Sequence, residues 1–449
     1  MDRVRFEFEW ERSEGVRGAE LRATWASLRL MVGNECLTRV FDKSAKTVRS
    51  CIFIPLYPLA EWIAWNWWSL LYEPDAYWLR DQRHYARRHN LQFVGDGTAM
   101  PNVEFRPLGK HVQVFWMPST HPYQLIDYLG RGAAILDHAQ LTESLYALVE
   151  GVCSRLEQEN VIGTTLVQGW GAVKEGMDDH GESAFCRAVA VQGRDPYSLQ
   201  QSEEDELITV ARIVPEKLHL DFFHVGSWGM LSDQAATLSD ALYWIEHNCG
   251  DWKNLSLLRD DMNVLGGVLT PWEQGYALAR TMRTTLGCNG QKFSSLEELG
   301  QLLGRSVDQL EQSTQHREMF TGVEAVVGEN QNGSPGFVFK PRYRPENQIF
   351  SFCRALCEYF FSPRSPSLVI DTNTEQQKRN RAFAAEFWLL QNKSRDVLRV
   401  RRPLGKRLMK LLIRWGSHPM LSHIRCKTMD WLFSVTNLKE KLITCSELR

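Results

Sequence analysis

Two stretches of the sequence decide the fold of the C-terminal part of the chain: FSFCRALCEYFF at Phe350–Phe361 and RNRAFAAEFWLL at Arg379–Leu390. Each is predicted to lie in a helix. Two strands are predicted before them, at Val323–Val327 and Phe337–Lys340, because the turn-rich run ENQNGSPG separates two apolar segments. The order of two strands and then two helices indicates an α+β domain over residues 321–449.

These stretches resemble the core of the ImmA/IrrE family of metallo-endopeptidases. In that family a strand pair leads into a helix that bears HExxH, then a loop, then a helix with an FAAE run, which Phe383–Glu386 reproduce here. The resemblance continues at GSHPMLSHIRCK (Gly416–Lys427), and a looser similarity lies at PWEQGYALAR (Pro271–Arg280). It covers roughly residues 320–430 and implies a zincin-like α+β fold.

The residues that make HExxH a zinc site are absent from this helix. When the helix is aligned on its aromatic residues, Arg354 takes the place of the first histidine, Ala355 of the glutamate and Glu358 of the second histidine. The two histidines bind zinc from one helix face, and the glutamate activates the bound water. Arginine has no lone pair for a metal, and alanine cannot take a proton. The sequence therefore predicts a degenerate active site without a cofactor.

Arg354 and Glu358 are spaced i, i+4, so they could form an ion pair where the zinc would have been. In this interpretation the guanidinium replaces the metal cation and also holds Glu386. The alternative is that the pair is exposed to solvent and contributes little to the stability of the fold. The vestigial site is predicted to consist of Arg354, Ala355, Glu358 and Glu386.

A zinc-dependent endopeptidase with non-standard ligands is the alternative function from the enzyme class. Its ligands would come from Glu358, Glu386, Cys353 and Cys357, with Glu375 as a further carboxylate. Two cysteines on a Phe-rich helix are more typical of small core residues. The general base of HExxH, which typically contributes about 10²–10⁴-fold to the rate, would still be missing.

The rest of the chain is predicted to form three further regions. Residues 1–130 are a mixed α+β domain, residues 131–260 are mainly helical, and residues 261–320 contain a helix-turn-helix-like pair at Ser294–Gln312. The exposed positions of that pair are rich in Glu and Gln, which favours a structural helix pair over DNA binding. The predicted N-terminal strands are Arg5–Trp10, Thr24–Met31, Cys36–Phe41, Ser50–Ile54, Val103–Arg106 and His111–Met117, with helices at about 59–72 and 75–89.

Composition places the chain among cytoplasmic globular proteins. Its 10 cysteines include no CxxC pair, which is typical of a reducing compartment. The first residues, MDRVRFEFEWERSEG, have no apolar core of a secretory signal. The apolar segment Cys51–Tyr72 contains two prolines and Glu61, so it predicts a strand, a turn and a buried helix rather than a membrane span.

The chain carries a net charge of −2, but its charge is unevenly distributed. From Asn392 onward there are 14 Lys and Arg against 4 Asp and Glu, a balance of +10. This region could bind nucleic acid or an acidic partner, or pair with the acidic remainder of the chain. The candidate contact residues are Arg399, Arg401, Arg402, Lys406, Arg407 and Lys410.

The function predicted first is that of a catalytically inactive, metallopeptidase-like regulatory or interaction protein. The resemblance implies a role in transcriptional, stress or mobile-element control, because active members of the family cut helix-turn-helix repressors. A protein partner, such as a repressor of this kind, is expected, and membrane association is not. A nucleic-acid-binding protein that uses the basic C-terminal region is the remaining alternative.

Overall fold

The computed structural model describes residues 2–389 except 14, 76–81, 96, 121–124, 249–254, 256–257, 259–269, 292, 307, 311–313, 332, 343 and 363–364. The described residues belong to one compact unit of mixed α+β structure. The strands are β1 (Val4–Trp10), β2 (Trp25–Val32), β3 (Glu35–Cys36), β4 (Val40–Asp42), β5 (Thr47–Arg49), β6 (Ile52–Pro55), β7 (Asn102–Pro107), β8 (His111–Met117), β9 (Ile126–Tyr128), β10 (Gly132–Asp137), β11 (Thr314–His316), β12 (Val323–Glu329), β13 (Pro335–Phe339) and β14 (Ser367–Ile370).

The helices are α1 (Ala19–Ala23), α2 (Tyr57–Trp65), α3 (Trp67–Tyr72), α4 (Gln82–His89), α5 (His138–Gln158), α6 (Thr165–Asp178), α7 (His180–Val191), α8 (Gln201–Ile213), α9 (His219–Val225), α10 (Leu231–Asn248), α11 (Pro271–Thr285), α12 (Leu296–Leu302), α13 (Pro345–Phe361) and α14 (Glu375–Ala384). A π-helical turn at Ala385–Leu389 follows α14.

The N-terminal strands form three antiparallel sheets. Strand β2 pairs with β1, β3 and β6, strand β8 lies between β7 and β10, and strand β4 lies between β5 and β9. Alternation of side chains along β1 places one face toward the core, as the sequence predicted.

The predicted single strand Cys36–Phe41 is in fact two strands, β3 and β4, in different sheets. The hydroxyl of Thr38 lies between them, accepts a hydrogen bond from the Leu30 amide at 3.0 Å and donates one to the Ser50 carbonyl at 3.0 Å. These side-chain bonds hold the chain where it leaves one sheet for the next, and period-2 patterning cannot reveal such a break.

The apolar segment Cys51–Tyr72 contains the predicted strand, β6, but the predicted single helix is two helices, α2 and α3, which Asn66 separates. Its tryptophans are largely core residues, and Trp67 packs edge-on against Trp170 of α6 with ring centroids 5.0 Å apart. Over the described ranges, no helix combines the length and the hydropathy that crossing a bilayer requires.

Helices α5 to α10 form the helical middle of the chain. Asp179 caps α7 by accepting a hydrogen bond from the Glu182 amide at 2.8 Å. The predicted helix pair at Ser294–Gln312 begins with α12, and Gly304 follows it with a φ of 78°. Residues 308–310 are helical again.

The C-terminal part contains a four-stranded sheet in the order β11-β13-β12-β14. The strand pair β12 and β13 leads into α13, and after β14 the chain enters α14, which packs against α13. One hydrophobic core includes α11, α13 and α14. A second joins α7 to α10 to the opposite side chains of β12 and β14, so this sheet is covered on both faces.

Helix α11 crosses α14 closely at Gly275. A methyl group on this residue would lie 2.9 Å from the Phe383 nitrogen and 3.0 Å from Ala382 Cβ. We expect Gly275→Ala to lower the free energy of unfolding by about 1–3 kcal/mol in urea titrations, because two helix backbones must move apart. Gly171 of α6 has no neighbouring atom within 4 Å of such a methyl group. Gly171→Ala is therefore the control, and it should stabilise the chain by up to about 1 kcal/mol. Equal effects of the two substitutions would show that the crossing is not tight.

Candidate functional site

The predicted vestigial site lies on the face of α13 that packs against α14 and β14. Arg354 and Glu358 share this face, and they are 4 % and 0 % exposed. Ala355 is also fully buried. The alternative of an exposed ion pair is therefore wrong: both charged groups lie in the protein interior, where each needs a partner.

The Arg354 guanidinium is held by three acceptors. Its Nε donates to Asn380 Oδ1 at 2.8 Å, and its Nη2 donates to Gln377 Oε1 at 2.8 Å and to the Ile370 carbonyl at 2.7 Å. Gln377 is itself fixed to β14, because its Oε1 accepts from the Ile370 amide at 3.0 Å and its Nε2 donates to the Leu368 carbonyl at 2.9 Å. The guanidinium thus connects α13 to α14 and to the sheet.

The predicted direct ion pair between Arg354 and Glu358 is replaced by a bridge through Asn380. The Asn380 carboxamide accepts from Arg354 through its oxygen and donates to Glu358 Oε1 through its nitrogen at 3.0 Å. An amide is well suited to this position, because it offers an acceptor to the cation and a donor to the anion. The two charges are therefore coupled through a neutral group.

Arg379 of α14 is a further partner of Glu358. The Arg379 Nη2 lies 3.7 Å from Glu358 Oε2, and its guanidinium lies 4.0 Å from the centroid of the Phe361 ring. Burial raises the pKa of Glu358, and the Arg379 charge is the largest influence that lowers it. For Arg354, burial lowers the pKa to about 9, so this side chain stays protonated at neutral pH.

Asp221 of α9 joins this group from the helical middle of the chain. Its side chain is only 12 % exposed. Burial, followed by the negative charge of Glu358, raises the pKa of Asp221 to about 7, while a hydrogen bond from Gln376 opposes the shift. The Gln376 amide also lowers the pKa of Glu358. Gln376 is thus a shared partner of Asp221 and Glu358, two carboxyl groups whose pKa values are both raised.

Glu386 does not belong to the Arg354 network, contrary to the prediction. It lies in the π-helical turn after α14, and its Oε1 accepts from Arg280 Nε of α11 at 2.7 Å. The widened π turn changes the direction of side chains relative to a regular α-helix, which the FAAE pattern alone could not indicate. Glu375 likewise lies elsewhere, in hydrogen-bond contact with His111 Nδ1 of β8.

Cys353 and Cys357 are fully buried in the core. Burial is the main cause that raises the pKa values of both thiols, and this disfavours the thiolate form that binds metals. In the parts of the chain that the structure describes, Glu358, Glu386, Cys353 and Cys357 do not come together as a metal-binding group, and no other set of three or more His, Cys, Asp or Glu does so.

The residues that the resemblance aligns with HExxH do not fit a zinc ion. A protonated guanidinium, a methyl group and one carboxylate supply neither the three ligands nor the base that such a centre requires. The arrangement compensates the buried charges of Arg354 and Glu358 with side-chain amides and with Arg379. Arg399, Arg401, Arg402, Lys406, Arg407 and Lys410 lie outside the described residues.

Sequence reasoning missed Asn380, Gln377 and Asp221. The sequence offers no signal for the first two, since Gln377 and Asn380 stand among other polar and charged residues in EQQKRNRAFA. Asp221 stands between apolar residues in HLDFFHV, which is unusual for a solvated carboxylate. Comparisons of the chain with protein-family models, with curated proteins and with solved structures found no match.

Proposed function

We propose that this chain is a catalytically inactive, metallopeptidase-like protein that acts by binding a protein partner. In this proposal the ImmA/IrrE-like scaffold is retained in the C-terminal part, and a salt-bridged, amide-bridged core stands where the zinc centre of an active member would be. The partner would be a helix-turn-helix repressor that is bound without being cut. The role would lie in transcriptional, stress or mobile-element control in the cytoplasm.

The observation that carries this proposal is the set of hydrogen bonds at Arg354. Three acceptors from α14 and β14 converge on the guanidinium, on the helix face where a zincin would hold its metal. A working centre needs an open coordination position for water. Here the corresponding space is occupied by packed, hydrogen-bonded side chains that are almost completely buried.

The order of secondary structure elements also supports the proposal. The resemblance implies a strand pair, a helix, a loop and a second helix, and the chain has β12 and β13, then α13, then α14 packed on α13. Strand β14, between the two helices, lies where the resemblance implies only a loop. It provides the carbonyl of Ile370 that Arg354 binds, so the addition is part of the replacement core.

A test combines metal analysis with a binding and cleavage assay. The full-length chain, purified without chelators, is expected to contain no stoichiometric zinc. It should retain a helix-turn-helix repressor encoded beside its gene on an affinity column, and the repressor should remain uncut after prolonged incubation with added zinc.

The matched control for this test is Glu386→Ala. If the non-standard peptidase existed, its zinc and its activity would fall in this variant, whereas the proposal predicts no change in either. Repressor cleavage that a chelator abolishes would overturn the proposal, and so would failure of the full-length chain to bind the repressor.

A further inference from the structure

A cavity of about 320 Å³ opens beside Asp221, between residues of the helical middle and of the C-terminal part. Its walls come from Lys217 and Leu218 before α9, the first turn of α9, the end of α13, the start of β14 with the two residues before it, and the first turn of α14. This volume is at the lower end of the range of about 300–1,000 Å³ that small-molecule sites occupy. The cavity therefore suits a metabolite of few carbon atoms.

Two side chains of opposite charge line this cavity. Lys217 is exposed, and its Nζ donates to Ser365 Oγ at 2.7 Å, while Asp221 is largely buried. The hydroxyls of Ser362, Ser365 and Ser367 and the amide of Gln376 add hydrogen-bonding groups. A polar cavity with one cationic and one anionic side chain favours a ligand that carries both charges.

The electrostatic surroundings of Asp221 favour a cation beside it. Glu358 faces it from α13, Gln376 and Arg379 from α14, and His224 Nδ1 lies 4.0 Å from its Oδ1 on its own helix. Arg379 is already engaged with Glu358 and the Phe361 ring. Burial is the largest cause that raises the pKa of Asp221, and the groups around it do not offset the cost of burying its charge.

We propose that this cavity is a binding site for a small zwitterion, with the ligand's primary ammonium group at Asp221 and its carboxylate at Lys217. The serine hydroxyls and the Gln376 amide complete the polar shell. The proposal does not rest on the pseudo-peptidase function, because none of the residues aligned with HExxH lines the cavity. A bound ligand would contact both α9 and α14, and would thus connect the helical middle to the C-terminal core.

The test is calorimetric titration of the full-length chain with ω-amino acids of increasing length, at about pH 8 so that Asp221 is ionised. The length that binds best also measures the separation between the charges of Asp221 and Lys217. The probes are glycine, β-alanine, 4-aminobutyrate and 6-aminohexanoate, with methylamine and acetate as singly charged controls. One length should bind about tenfold or more tightly than either control. At about pH 6 its affinity should fall, because protonated Asp221 no longer attracts the ammonium group.

Asp221→Asn should weaken binding of that amino acid by about 10-fold to 100-fold, and Lys217→Met should weaken it at the carboxylate end. Glu216→Gln removes an exposed carboxylate of the neighbouring turn that does not line the cavity, and it should leave the affinity unchanged.

If none of the four amino acids binds, or if acetate binds as tightly as the best of them, the proposal is wrong. Lys217→Met decides the outcome if Asp221→Asn does not fold.

Discussion

Replacing Arg354 with methionine is expected to lower the free energy of unfolding by about 3–5 kcal/mol, the usual loss when one partner of a buried charge group is removed. Methionine fills similar space but donates no hydrogen bond. Asn380 Oδ1 and the Ile370 carbonyl then lose their donor, and the charge of Glu358 keeps only Arg379 as a cationic partner. Urea unfolding followed by the fluorescence of the 16 tryptophans measures the loss.

Glu358→Gln provides the second corner of a double-mutant cycle with Arg354→Met. Alone, this isosteric change keeps an acceptor for Asn380 and removes a charge that burial disfavours, so its effect should be small. Combined with Arg354→Met, it should recover part of the loss, because no uncompensated carboxylate remains. Additivity within about 0.5 kcal/mol would show that the Asn380 bridge does not couple the two charges. Arg22→Met, at an exposed position, is the control for loss of a guanidinium.

The sequence predicted the elements around the candidate site well, because local patterns determine them. Strand β8 was predicted with its observed bounds, His111–Met117, and the stretch Phe350–Phe361 lies in a helix as predicted. Alternation and helical spacing report which face of an element is buried. They therefore also predicted that Arg354 and Glu358 share one helix face.

The partners of those side chains could not be predicted, because they come from elements distant in the sequence. Asn380 reaches Glu358 from 22 positions away, and Arg280 reaches Glu386 from 106 positions away. Which of several polar residues lies opposite a buried charge depends on helix packing and on the local π turn, neither of which has a sequence period. The assumption that Glu386 belonged to the site came from the FAAE pattern alone.

The predicted boundaries at 130, 260 and 320 stay predictions. One relevant observation is that apolar side chains of the helical middle, such as Leu238, share a core with Val326 and Leu368 of the C-terminal sheet. Composition and periodicity assign each segment to an element but do not tell which faces of two segments cover one another. The position of Asp221 near Glu358 follows from this shared core, because α9 is one of the helices that pack on the sheet.

Asp221 should make the stability of the chain depend on pH. Because folding raises its pKa from 3.8 to about 7, the folded chain binds this proton more tightly than the unfolded chain, and protonation stabilises the fold. The contribution is complete below the ordinary pKa and is lost as the pH rises through about 7. A shift of this size corresponds to a loss on the order of 4 kcal/mol.

Asp221→Asn removes this titration while keeping the size of the side chain, so the difference between the two proteins isolates it. Relative to the parent chain, the variant should become more stable by on the order of 4 kcal/mol as the pH rises from about 4 to about 8. Urea unfolding at intervals across that range measures the difference, and Glu216→Gln tests whether losing a negative charge alone changes the curve. A difference between parent and Asp221→Asn that stays constant with pH would mean that Asp221 ionises freely, and that Glu358 and the surrounding core impose no cost on its charge.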